Sequence, residues 1–251
     1  MSEPSARSIP QIGTVIADGM MYVTTAYELP PPPDTSHLIT EDETPVDNLL
    51  SEKHFRLLTE PLYSSWAGPG AGRPYLVTAN VSLCPVPRNP AIVPDVMLSL
   101  DVTAPADLRQ TRSYFMWEFG KPPDVVIEIV SNTRGGEKSG TFLDYARIGV
   151  PYYIIYDPMR YLGDQPLEIY ELRAGHYRPR SDTWPPHVGL GLTEWEGTFE
   201  ETFGVWFLWF YKDLMVLPTA AEQAAVERQR AEMAQQQVAA ERQRAMRLAE
   251  R

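Results

Sequence analysis

Cysteine occurs once in the 251 residues, as Cys84, so no internal disulfide can brace this chain. No apolar run is long enough to cross a membrane, and no N-terminal stretch has the apolar core of a signal peptide; a cytoplasmic location is expected. The four histidines, His37, His54, His176 and His187, are scattered without metal-ligand spacing, and none is assigned a role. Positive charge is scarce as well. Lys and Arg number 22 against 33 Asp and Glu, for a net charge of −11 and a pI near 4.9. That balance argues against strong nonspecific attraction to nucleic acid, which depends on Lys and Arg neutralising phosphates. A nuclease whose few basic groups gather at its site is still allowed. The deficit belongs to the globular part, because residues 219–251 hold six Arg and five Glu, a net of +1.

What is present suffices for one well-buried domain with appendages, since 43% of the residues are hydrophobic. Residues 1–45 read as an arm or linker, with short strands over 14–17 and 20–24 and then the proline run Pro30 to Pro33, which favours extended polyproline II. Residues 46–217 read as the globular domain. A helix is expected over 47–58, with Ser51 and Glu52 in its first turn. Ser65 to Arg73 is glycine-rich but lacks the lysine and the strand-to-helix setting of a phosphate-binding loop. Strands follow over 75–83 and 92–102, and a hairpin over 167–177 turns at Arg173-Ala174-Gly175-His176. The aromatic residues Trp206, Phe207, Trp209 and Phe210 read as packing rather than as a ligand platform.

The centre of the chain is Pro122 to Pro158. Val125, Val126, Ile127, Ile129 and Val130 form a β-branched run bounded by Pro-Pro and by a polar, glycine-rich stretch, which predicts a central strand covered on both faces. Glu128 interrupts it, and a carboxylate there must be hydrogen-bonded, paired or bound to a cation, because an unpaired one costs several kcal/mol. A helix over 141–148, stopped by Gly149, and a strand over 152–156 follow, so the strand, helix, strand order implies parallel neighbours.

Residues 218–251 differ in composition, rich in Ala, Gln, Glu and Arg with a single proline, Pro218, and no glycine. Leu217, Ala224, Ala231, Val238 and Ala245 recur every seventh residue. A stripe that is mostly alanine makes a weak coiled coil, so a solvated single helix and a homodimerising one stand equally.

Two carboxylates carry the chemical reading. If the strands bearing Asp95 and Glu128 are neighbours, both can reach one divalent cation, as metal-assisted phosphodiester hydrolysis requires. Lys138, ten residues after Glu128, is the nearest lysine to orient a water or stabilise charge. Glu52 or Glu60 on the early helix would be a further ligand. Against this stands a structural pairing of Glu128 with Arg134 or Arg147, and Pro-Asp at residues 94–95 is also a common strand-start signal.

Val93-Pro94-Asp95-Val96, Pro123 to Ser131, Tyr145 to Val150 and Tyr152 to Pro158 resemble the Uma-type restriction endonuclease family within the PD-(D/E)XK nuclease superfamily, a bacterial group abundant in cyanobacteria. The likeness runs from about Val46 to Tyr177. It implies a restriction-endonuclease-like α/β fold, a mixed central sheet flanked by helices with a C-terminal helical tail, and cleavage of DNA dependent on Mg²⁺ or Mn²⁺. Asp95 and Glu128 match the family's metal-binding acids. The superfamily's lysine position two residues after the glutamate holds Val130, and the helix position four residues before Tyr145, where this family usually carries lysine, holds Thr141; Lys138 sits one turn earlier. The other reading is therefore a nuclease fold without catalysis, acting as an interaction module through its helical tail.

Overall fold

The computed structural model describes residues 48–70, 72–86, 91–104, 113–131 and 140–249, together with the backbone of 11–17 and 20–26. The chain divides into two compact units, Met1–Thr40 and Glu41–Arg251. In the first, β1 (Gln11–Ala17) and β2 (Met20–Ala26) form an antiparallel hairpin, each strand longer than its sequence signal. The Pro30 to Pro33 run lies outside the described residues.

The second unit is built on a six-stranded sheet. Its members are β3 (Tyr75–Ala79), β5 (Val96–Leu100), β7 (Val125–Ile129), β8 (Tyr152–Tyr156), β9 (Leu167–Arg173) and β10 (His176–Pro179). Their spatial order is β10-β9-β8-β7-β5-β3. β7 and β8 run parallel, joined through α3 (Gly140–Ile148), and the remaining pairs are antiparallel, so the sheet is mixed. A short parallel pair, β4 (Leu83–Cys84) with β6 (Tyr114–Phe115), leads into the single-turn α2 (Met116–Phe119). This is the mixed α/β architecture that the sequence predicted.

Alternation along the strands sends side chains to two separate cores. On one face Val96, Leu98, Val125, Ile127, Ile129 and Ile154 pack with Phe55, Leu58 and Leu62 of α1 (Leu49–Ser65) and with Phe207 and Trp209. On the other, Met97, Val126, Val130, Tyr153 and Ile155 pack with Tyr145 of α3, Leu83 and Tyr114. The aromatic cluster expected to be packing is packing: Trp206, Phe207, Trp209 and Phe210 are buried on β12 (Thr202–Phe210), which pairs with β11 (Gly191–Phe199).

Asn48 starts α1 by accepting from the amides of Leu50 and Ser51 at 3.0 Å each. The helix then runs through Pro61 to Ser65, seven residues past its expected end. A proline inside a helix costs about 3 kcal/mol. Burial of Leu62 and Trp66 beyond it offsets that cost.

The tail is α4 (Ala220–Ala249), about 45 Å long at 1.5 Å per residue. Thr219 and Glu222 form a reciprocal capping box, the Thr219 amide donating to Glu222 Oε2 at 2.8 Å and the Glu222 amide to Thr219 Oγ1 at 3.2 Å. Glu60 Oε1 accepts from the Ala220 amide at 3.0 Å, and Gln223 Nε2 donates to Ser65 Oγ at 2.9 Å, so the first turn is tied to the end of α1. Past that turn α4 is exposed, with Val226, Met233, Val238 and Met246 on its surface. No helix among the described residues is long and apolar enough to cross a membrane.

Candidate metal and nuclease site

β5 and β7 are antiparallel neighbours in the register Val96 opposite Ile127 and Met97 opposite Val126. The pairing ends at Val96; by the alternation of side chains Asp95, the next residue out, falls on the same face as Met97, and Glu128 on the same face as Val126, and residues directly opposite on one face of such a pair have Cβ atoms about 5 Å apart. The face is the one that carries α3. The sequence asked for neighbouring strands, and the sheet order supplies them.

Both carboxylates are half-buried and hydrogen-bonded. β5 begins only at Val96, so the Ile129 amide at the far end of β7 meets the Asp95 side chain instead of a strand carbonyl and donates to Oδ2 at 2.6 Å. Glu128 Oε1 accepts from the Tyr145 hydroxyl of α3, also at 2.6 Å. Burial, and then the negative charge of Glu128, hold the Tyr145 phenol far above its ordinary range, so it stays a protonated donor.

Two oxygen-rich side chains on one face of adjacent strands, each anchored by a donor from the protein, are the donor set that hard cations such as Mg²⁺ take, with water completing the coordination. Among the described residues no group of three or more His, Cys, Asp or Glu is gathered to hold a metal.

Lys138 lies outside the described residues, as does Arg134. Thr141 sits in the first turn of α3, one turn before Tyr145 and on the same side of the helix. Arg147 pairs with Asp144 of its own helix at 3.0 Å, not with Glu128. Glu52 and Glu60 are directed elsewhere, because α1 covers the opposite face of the sheet. Glu52 pairs with Arg56 at 2.8 Å, and Glu60 caps α4.

Sequence reasoning missed a third anchored carboxylate. Asp124, the residue before β7, is 2% exposed. Its Oδ2 accepts from the Leu100 amide at 2.7 Å and from Lys121 Nζ at 2.5 Å, and Oδ1 lies 3.1 Å from His187 Nε2. The signal available was Pro123-Asp124, the same dipeptide that precedes β5 as Pro94-Asp95. Tyr145 was legible only as part of a motif, since its bond to Glu128 depends on how α3 docks.

No curated protein matches the sequence. Residues 42–200 match the Uma2 family, described as a putative restriction endonuclease, and the chain belongs to that family.

Proposed function

We propose that this protein is a Mg²⁺-dependent DNA endonuclease in which Asp95 and Glu128 hold the cation. The observation that supports it best is that Asp95, immediately before β5, and Glu128, on the neighbouring β7, lie on the face that carries α3, within a family described by its endonuclease character. A bound Mg²⁺, or Mn²⁺, supplies an activated water and neutralises charge on the phosphoryl oxygens. The chain's own contribution is to fix the two carboxylates with the Ile129 amide and the Tyr145 hydroxyl. Lys138, from its position ahead of α3, is the group proposed to steady the attacking water. The net charge of −11 confines phosphate binding to the neighbourhood of the site, so affinity for DNA should be low and strongly salt-dependent. The work is proposed to take place in the cytoplasm.

Thr141 favours a second reading, a nuclease fold retained for binding, with α4 as the surface that recruits a partner or a second copy. The two readings separate in one assay. Supercoiled plasmid is incubated with the full chain and Mg²⁺, Mn²⁺ or a chelator, alongside Glu128→Ala. Cleavage that needs the cation and disappears in the variant supports the enzyme. Cleavage that survives in Glu128→Ala refutes the assignment, and none by the wild-type chain in either cation leaves the binding reading. Light scattering before and after removal of residues 218–251 then reads out self-association through α4.

A further inference from the structure

Tyr145 is fully buried, and its hydroxyl reaches from α3 across to β7 to donate to Glu128 Oε1 at 2.6 Å. The ring is held independently of that bond. It lies 5.2 Å from the Tyr153 ring, centroid to centroid, and belongs to the core formed by Met97, Val126, Val130 and Val150. Its backbone is fixed too, since the Tyr145 carbonyl accepts from the amides of Gly149 and Val150 at 3.1 Å each where α3 stops. The hydroxyl is thus a fixed point. Glu128, half-buried, has three side-chain torsions, and fixing them costs conformational entropy.

We propose that Tyr145 is a positioning residue that sets the Glu128 carboxylate in the orientation a divalent cation shared with Asp95 requires. This rests on the reading of Asp95 and Glu128 as cation ligands. An ionised carboxylate has about four lone-pair directions, and the Tyr145 bond at Oε1 uses one of them and restricts rotation of the carboxylate. Hydrogen bonds of this outer kind change metal affinity by roughly 10–100-fold when removed. The position of Tyr145, four residues after Thr141 on α3, also explains why that helix faces the site even though it offers no lysine there.

Tyr145→Phe removes a single oxygen and keeps the ring in the core, so the fold is retained; melting of the cation-free variant verifies that. Mg²⁺ and Mn²⁺ are titrated calorimetrically into the full-length wild type, Tyr145→Phe and Glu128→Gln. The expected result is binding about 10–100-fold weaker in Tyr145→Phe and none in Glu128→Gln. In cleavage assays the half-saturating cation concentration rises by the same factor while the rate at saturating cation stays within a few-fold. A hydroxyl with a structural role alone lowers the melting temperature equally with and without cation and leaves the affinity unchanged. That outcome overturns the proposal and leaves the cation reading standing. A wild-type chain that takes up neither cation overturns both.

Discussion

Asp95 and Asp124 are counterparts across the β5–β7 pair. Each follows a proline at the start of its strand, and each accepts the amide at the far end of the other strand, Ile129 for Asp95 at 2.6 Å and Leu100 for Asp124 at 2.7 Å. The two strands are thereby clamped at both ends by side chains where backbone pairing stops. The ends differ in what faces the carboxylate. Asp124 meets Lys121 and His187, whereas Asp95 shares a face with Glu128. One end joins its acid to two basic side chains, and the other brings two acids onto neighbouring strands.

From this asymmetry, Asp95→Asn and Asp95→Ala should separate. Asparagine keeps an oxygen to accept the Ile129 amide, so its stability in the absence of cation stays near that of wild type. Alanine leaves that amide without its partner and costs about 1–3 kcal/mol. Saturating Mg²⁺ should raise the melting temperature of the wild type, by the equivalent of about 2.7 kcal/mol at 100 times the dissociation constant, and both variants should lose that rise. Thermal melts with and without Mg²⁺ check this, and a Mg²⁺ shift kept in Asp95→Asn counts against Asp95 as a ligand.

Asp124→Ala should be the more damaging change for the fold and the more neutral one for the cation. It orphans the Leu100 amide and leaves the partly buried Lys121 ammonium without its carboxylate, a loss of about 3–5 kcal/mol. Denaturant unfolding measures the loss. Calorimetry at a temperature where the variant is folded should give a Mg²⁺ affinity like that of wild type.

Much of this was legible in the sequence, for reasons that are local. Tyr152 to Tyr156 is an apolar run with turn residues on both sides, and β8 has those very bounds. Glu128 announced itself because a carboxylate within a β-branched run needs a partner. The end of α1 was not legible: Pro61 signals a stop, and only the burial of Leu62 and Trp66 against the sheet carries the helix past it. Nor could the sequence reveal that Glu52 and Glu60 belong to the helix covering the wrong face, because which face a helix covers is set by the connections and not by its own periodicity. The Asp124 clamp and the Tyr145 bond are questions of register and docking, and both needed the strands to be aligned first.

His54 gives the fold a dependence on pH. It is fully buried between Tyr156 and Trp206, with ring centroids 5.2 and 5.3 Å away, and its Nδ1 donates to the Leu50 carbonyl at 2.8 Å. Among the described residues Nε2 makes no hydrogen bond of good geometry, and burial pulls the imidazole below its ordinary 6.5, with the backbone carbonyls of Leu50 and then Val205 opposing. The folded state therefore resists a proton that the unfolded chain accepts. The stability this gives is present above pH 6.5 and is lost as pH falls through the folded pKa, at up to about 1.4 kcal/mol per pH unit. Unfolding free energies measured from pH 8 to pH 5 should fall below 6.5 in the wild type, and the slope should be smaller in His54→Leu.

Tyr63 guards an exposed edge. β3 ends the sheet on one side, and its Val77 has an amide and a carbonyl on the unpaired side; the Tyr63 hydroxyl accepts from the first and donates to the second, each at 3.0 Å. Its ring stacks on Tyr75 at 5.7 Å, which holds the hydroxyl along the strand. Open edges of this kind pair with other chains unless they are blocked. Tyr63→Phe keeps the stacking and removes the block, so it should cost about 0.5–1.5 kcal/mol in stability. It should also make the mass in solution rise with protein concentration beyond any rise shown by the wild type. Light scattering over a hundredfold dilution decides the point: a variant that loses stability but matches the wild-type mass throughout would mean that the hydroxyl only pairs the edge, and that neighbouring side chains such as Glu60 already keep other strands away.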